Sequence, residues 1–373
     1  MAESTKRKLG LIVNPLAGIG GRVGLKGSDG VEIVRRAFDL GAERLAPARA
    51  AEALRGLVAQ RDTFEWVTYP ADMGADEAVA CGFAPVVLGS LAPGATTAED
   101  TRRAAREMAD FGVELLLFVG GDGTARDICE AVGGRLPVLG IPAGVKIHSS
   151  VYAINPRRAA DAVRAFLQGR APVREGEVMD IDEDLFRAGR VSARLYGYLR
   201  VPFEERCMQG AKAASTSAVG SIEELAAYAV ELMWEDCCYV LGPGSTMQAI
   251  GRVLNVDKTL LGVDVLCRGR LVAKDVTEAQ LLALLEGRPA KIVVTVIGGQ
   301  GYIFGRGNQQ ISPAVIEKVG IGNVMVVAAR DKLVALNHPL LVDTGDAELD
   351  RRLSGFRRVI AGYHEESIWK VEG

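Results

Sequence analysis

Residues 114–129 read Glu114-Leu-Leu-Leu-Phe-Val-Gly120-Gly-Asp122-Gly-Thr124-Ala-Arg-Asp-Ile-Cys129. Leu115 to Val119 form an unbroken apolar run of strand length, and beyond Thr124 polar and apolar residues alternate with helical spacing. Gly120, Gly121 and Gly123 therefore fall in a strand-to-helix turn. Without a β-carbon they admit positive φ and let backbone N–H groups approach a ligand, while the following helix adds its positive dipole end. Such a turn suits phosphate. Asp122 places an anion where an anion should bind, which suits a carboxylate that holds a metal or takes a proton from a hydroxyl. The chemistry implied is phosphoryl transfer; an ordinary tight turn is the alternative.

Working outward, Leu9 to Val13 reads as a buried first strand followed by a second glycine turn, Asn14-Pro15-Leu-Ala-Gly18-Ile-Gly20-Gly21. Helical stretches are expected at Ser28–Leu40 and Arg44–Gln60, and strands at Thr63–Tyr69 and Ala84–Gly89 around a third helix. Thr97 caps an amphipathic helix from Ala98 to Phe111 that leads into the signature strand. Leu136–Ile141 is another short strand, and Pro142 to Ser150, with Gly144 and Lys146, is its loop. Strands alternating with helices imply a parallel sheet, which binds ligands at its carboxyl ends. Three loops should converge there: 14–21, 120–124 and 142–150.

Pro156 to Gln168 is expected to be a helix, with a domain boundary near residues 169–172. Arg174 to Val201 alternates as a hairpin turning near Ala188-Gly189, and its acidic group Asp180, Asp182, Glu183 and Asp184 is either a Mg²⁺ site or a solvated face. Phe203 to Ser221 reads as a lid or substrate loop. Tyr239 to Thr246 gives a further strand and glycine turn, with Gly244, Ser245 and Thr246 opening the helix Met247–Leu254, a third anion cradle. Asp264 lies in an apolar strand, so it is either a site residue or capped by backbone groups. Ala290–Ile297 reads as a buried parallel strand ending in Gly298-Gly299-Gln300-Gly301, followed by Gly305, Gly307, Asn308 and Gln309, a composition suited to a polar ligand. Ser312-Pro313 opens a helix, and Asn323–Ala329, Leu340–Val342 and Phe356–Ala361 are strand candidates.

The segments GGDGTARDI, GIPAGVKIHSS, GPGST and GGQGYIFGRGNQQ together resemble the ATP-NAD kinase family, within the superfamily of NAD, diacylglycerol and sphingosine-type kinases, and among these the branch that includes the acetoin-catabolism protein X. The resemblance runs over nearly the whole chain. It implies an α/β fold with a Rossmann-like N-terminal domain (1–170), a second mixed α/β domain (171–330) across a cleft, and a segment (331–373) that returns to the first domain. It also implies ATP and Mg²⁺ over the signature loop, Asp122 as general base, and NAD or NADH as the acceptor. Asn14, Pro15 and Gly18 match the Asn-Pro-x-x-Gly phosphate loop of the lipid-kinase relatives. The sequence departs from NAD kinases in two places. Gly140-Ile-Pro-Ala-Gly144 lacks their Asn, and no Asn-Glu dipeptide of the kind that holds the NAD ribose is present. A kinase for another phosphorylated metabolite tied to acetoin or diol breakdown, or a nucleotide sensor without turnover, remains open, as does polyphosphate as donor.

Composition sets the bounds. The chain of 373 residues suits two domains, and 49% hydrophobic with 24% charged residues supplies sizeable cores. A formal net charge of −3 gives no reason to expect a nucleic-acid or anionic-membrane partner. The apolar stretch Leu9–Val13 is too short for a signal peptide, so a cytoplasmic chain with small-molecule substrates is expected, assembled as a homo-oligomer, dimer or tetramer. The six cysteines lack paired metal-type spacing and are expected to be reduced thiols; the three histidines form no ligand cluster.

Overall fold

The structure is a computed structural model that describes residues 6–25, 30–91, 96–143, 147–181, 193–204, 206–208, 219–297, 300–336 and 338–373. Five parallel strands make the first sheet: β1 (Arg7–Val13), β2 (Phe64–Thr68), β3 (Val86–Val87), β4 (Leu115–Gly120) and β5 (Val138–Pro142), in the order β3-β2-β1-β4-β5. Every residue of β4 is buried. That accounts for its unbroken apolar run, since a central parallel strand is covered on both faces. The predicted helix after Thr97 spans Ala98–Asp110, and its start is a reciprocal capping box between Thr97 and Asp100. The helices Ala46–Arg55 and Pro156–Leu167 pack together at Gly56, where a β-carbon would run into that of Ala160.

After the hairpin β6 (Val173–Ile181) and β7 (Ala193–Pro202), the second half builds a nine-stranded mixed sheet. Its strands are β8 (Cys238–Leu241), β9 (Asp264–Cys267), β10 (Arg270–Ala273), β11 (Ala290–Val294), β12 (Tyr302–Phe304), β13 (Val324–Val327), β14 (Leu340–Val342), β15 (Gly355–Gly362) and β16 (Glu365–Glu372). They lie in the order β10-β9-β8-β11-β13-β15-β16-β14-β12. β8, β11, β13 and β15 run parallel, which fits the continuous apolar reading of residues 290–297.

The segment 331–373 adds β14, β15 and β16 to the second sheet, and it meets the first domain through the ion pairs Arg49–Asp343 at 2.6 Å and Arg157–Asp350 at 3.8 Å. One expectation is corrected in this sheet. The six cysteines are not all thiols, because Cys238 and Cys267 form a disulfide. These two residues stand directly opposite in the antiparallel β8–β9 register, a geometry that the spacing of 29 residues does not announce. Cys81, Cys129, Cys207 and Cys237 are free. Among the described residues no helix is long and apolar enough to cross a membrane.

Candidate active site

The signature turn joins β4 to the helix Asp122–Val132, with Gly121 as its N-cap residue. Gly121 has φ −123°, and neither Gly120 nor Gly123 adopts positive φ, so the expected left-handed turn is not what these glycines supply. At Gly120 the reason is space: a β-carbon would collide with the Thr124 side chain. Thr124 is thereby drawn in under the turn, where its Oγ1 accepts a hydrogen bond from Asn14 Nδ2 at 3.0 Å. The Asn14 backbone N–H donates to Val119 O at 3.0 Å, and its Oδ1 accepts from Leu16 N at 3.2 Å. Asn14 therefore ties the β1 loop to the signature turn. Pro15 and Gly18 are buried in that loop, Gly18 at φ 78°.

Asp122 is 8% exposed and its carboxylate faces the loop after β5. Oδ1 accepts from Ser149 N at 3.0 Å and from Ser149 Oγ at 2.6 Å. Oδ2 accepts from His148 N at 2.8 Å, and His148 Nδ1 lies 3.2 Å from the same oxygen. Ser149 Oγ in turn accepts from Met179 N at 2.9 Å, which joins β6 to the site. Behind the turn, Tyr152 Oη donates to Gly121 O at 2.5 Å, and its ring meets Phe118 edge to face at 5.3 Å between centroids. Gly140 on β5 is the enabling residue, since any β-carbon there would strike the Tyr152 ring. Burial, with Asp122 adding to it, pushes the Tyr152 phenol well above its usual range, so this tyrosine stays protonated and donating. His148, Ser149 and Tyr152 are the members that sequence reasoning missed. The quoted segment GIPAGVKIHSS contains the first two, but their partner lies 26–27 residues upstream.

The three loops expected to converge do so in their described parts. Ala143 N donates to Gly120 O at 3.0 Å, completing the contact of the β5 loop with the signature turn. Gly144, Lys146 and Gly299 lie outside the described residues.

In the second domain Gly244 has φ 118°, and the helix Ser245–Val253 begins directly after it. Here positive φ is what the glycine supplies. Ser245 is exposed on the first turn, and buried Thr246 Oγ1 lies 3.4 Å from Thr295 Oγ1 at the end of β11. Three residues expected to bind substrate have other employment. Asp264 is fully buried and accepts from Thr259 N and Thr259 Oγ1, each at 2.7 Å, and from Asp275 N at 2.8 Å, with Lys258 Nζ 3.6 Å away. Asn308 is 1% exposed and closes its own turn, accepting from Gly305 N and donating to Ile303 O. Gln300 donates from Nε2 to Ile147 O at 2.5 Å, across the domains. Gln309 is only partly buried. The second domain also meets the β1 loop, where Glu278 N donates to Arg22 O at 3.2 Å.

Among the described residues no group of three or more His, Cys, Asp and Glu could hold a metal ion. Asp180 lies on β6, while Asp182, Glu183 and Asp184 fall outside the described residues.

Comparison with known families gives two matches, the ATP-NAD kinase N-terminal domain over residues 9–171 and the ATP-NAD kinase C-terminal domain over residues 234–371. No curated protein matches. Two solved structures of a candidate diacylglycerol kinase from Bacillus anthracis str. Sterne align with 17% and 19% identity and TM-scores of 0.27 and 0.25. Each alignment covers 48% of this chain, and 47% and 45% of those chains respectively.

Proposed function

Because this chain belongs to the ATP-NAD kinase family, we propose that it is an ATP-dependent phosphotransferase whose acceptor is a hydroxyl of NAD or NADH. The observation that carries the reading is Asp122. It is a buried carboxylate on the first turn of a helix, beside the Asn14 loop, where a transferring phosphoryl group would meet backbone N–H groups and a helix dipole. In this reading the nucleotide phosphates lie over the turn, and Asp122 receives the acceptor proton once an acceptor hydroxyl takes the place of one of its present donors. Phosphoryl transfer asks of a protein chiefly positioning and charge stabilisation, which these loops can supply. Mg²⁺ would take most of its oxygens from the nucleotide phosphates and water, and would neutralise charge developing on the phosphates.

A dinucleotide suits the second half of the site. The turn before the helix Ser245–Val253 gives a separate helix N-terminus for an acceptor that already bears phosphate. The missing Asn-Glu dipeptide favours a second reading, a different phosphorylated metabolite as acceptor. The test is incubation with ATP, Mg²⁺ and either NAD or NADH, followed by a coupled dehydrogenase assay for NADP or NADPH. ATP consumption with another phosphorylated acceptor, and none with NAD or NADH, would leave the kinase reading and remove the dinucleotide.

A further inference from the structure

The segment 147–154 carries His148 and Ser149, the residues that hold Asp122, and second-domain side chains grip it at both ends. At its start, Gln300, 4% exposed, donates from Nε2 to Ile147 O at 2.5 Å. At its end, Tyr302 Oη and Arg306 Nη2 both donate to Ile154 O, the latter at 2.9 Å. Arg306 is 2% exposed, stacks on the Tyr302 ring at 4.9 Å and pairs with Asp343 at 3.5 Å, so this end of the grip is built into the second core.

The start of the segment has a particular geometry. Ile147 C=O and His148 N–H belong to one peptide unit, which resonance keeps planar, so turning one end turns the other. Gln300 holds the carbonyl end, and Asp122 Oδ2 accepts from the N–H end at 2.8 Å. The row from Gln300 amide to peptide to carboxylate is a chain of hydrogen bonds in a buried place, where each bond polarises the next. On the second domain's side, Thr295, directly after β11, stands beside Thr246 of the glycine turn, their hydroxyls 3.4 Å apart.

We propose that Gln300 is a positioning residue for Asp122: through the Ile147–His148 peptide it fixes the carboxylate's orientation, and so makes the reactive geometry depend on the second domain being docked. Its kinetic consequence rests on the phosphotransferase reading; its structural consequence does not. The test is the full-length Gln300→Met variant, close in shape but without a donor. Hydrogen exchange at the His148 and Ser149 amides should speed up by about tenfold, the worth of one hydrogen bond, while β4 and β11 keep their protection. With whichever acceptor the wild type uses, kcat should fall by about tenfold with the KM for ATP unchanged. Wild-type exchange at both amides would overturn the proposal, and so would equal acceleration through the whole second sheet, which marks a merely structural residue. Should Gln300→Met not fold, Gln300→Asn, one methylene too short to reach Ile147 O, takes its place with the same outcomes. If the wild type transfers phosphate to no acceptor, the kinase reading fails while the exchange measurement still decides the role of Gln300.

Discussion

Ser149 gives Asp122 two hydrogen bonds to a single carboxylate oxygen, from its backbone N at 3.0 Å and from Oγ at 2.6 Å. With His148 N on the other oxygen, the carboxylate is aimed by the loop after β5 and not by its own helix alone. Asp122→Asn keeps the shape but turns one acceptor into a donor that faces donors. Turnover should fall by about 10²–10⁴, the usual worth of a general base, while nucleotide binding and the fold survive. A thermal-shift titration with ATP beside a steady-state assay checks both halves; near-full activity would remove Asp122 from the mechanism.

Ser149→Ala removes a hydroxyl that donates to Asp122 and accepts from Met179 N at 2.9 Å. A part-buried backbone N–H and one buried carboxylate oxygen each lose a partner, so stability should drop by about 1–3 kcal/mol. Denaturant unfolding measures the loss. Turnover should fall less than for Asp122→Asn, because the two backbone donors remain.

Gly244→Ala tests the second glycine turn. At φ 118° any side chain is strained, and the added carbon would press on Thr295 Cγ2 at 3.1 Å, so a cost of about 1–3 kcal/mol is expected. The kinetic signature separates the two domains, with the KM for the acceptor raised and that for ATP unchanged. A rise in the ATP KM alone would move the donor phosphates to this turn.

The signature loop was legible in the sequence because each of its signals is local. An apolar run, three glycines and a helical pattern lie within sixteen residues, and the parallel sheet follows from repetition of that unit. What was hidden is whatever depends on pairing across distance. Asp122 finds Ser149 only because β4 and β5 are neighbours in the sheet, and Cys238 finds Cys267 only through antiparallel register. Glycines mixed with amides, as at 298–310, look alike whether the loop awaits a ligand or bonds to itself. Asn308 bonds its own turn, Gln300 bonds the other domain, and neither choice is written in the local composition. The buried Asp264 had two readings in sequence, and the three hydrogen bonds that cap its carboxylate come from Thr259, five residues back, and from Asp275, eleven residues on.

The disulfide makes a prediction in plain chemistry. Of six cysteines, the Cys238–Cys267 pair is oxidised and four are thiols, so alkylation under denaturing, non-reducing conditions should label four sites, and six after reduction. Reduction should also destabilise the second domain by about 3–4 kcal/mol, the chain-entropy worth of a loop of this length. Peptide mapping by mass spectrometry reads the first result and thermal melts with and without reductant the second.

The last prediction concerns pH. Glu77 on the helix Ala75–Ala80 is 6% exposed, and its Oε2 has no hydrogen-bond partner among the described residues. Burial pushes its carboxyl above the usual range, with Asp76 and Asp72 adding to the rise. A raised folded value means that the folded chain holds a proton the unfolded chain has released. Stability from this group is therefore complete below the ordinary glutamate range and is lost as pH climbs through the raised value. Above that window the fold carries a buried charge whose outer oxygen lacks a donor. Glu77→Gln keeps an acceptor for the backbone near Gly74 and abolishes the charge, so it should stabilise the protein by about 1–3 kcal/mol at pH 8 and by much less at pH 5. Thermal melts of both proteins across that range check the sign. A gain that is the same at both pH values, or larger at pH 5, would mean that Glu77 does not carry this burden.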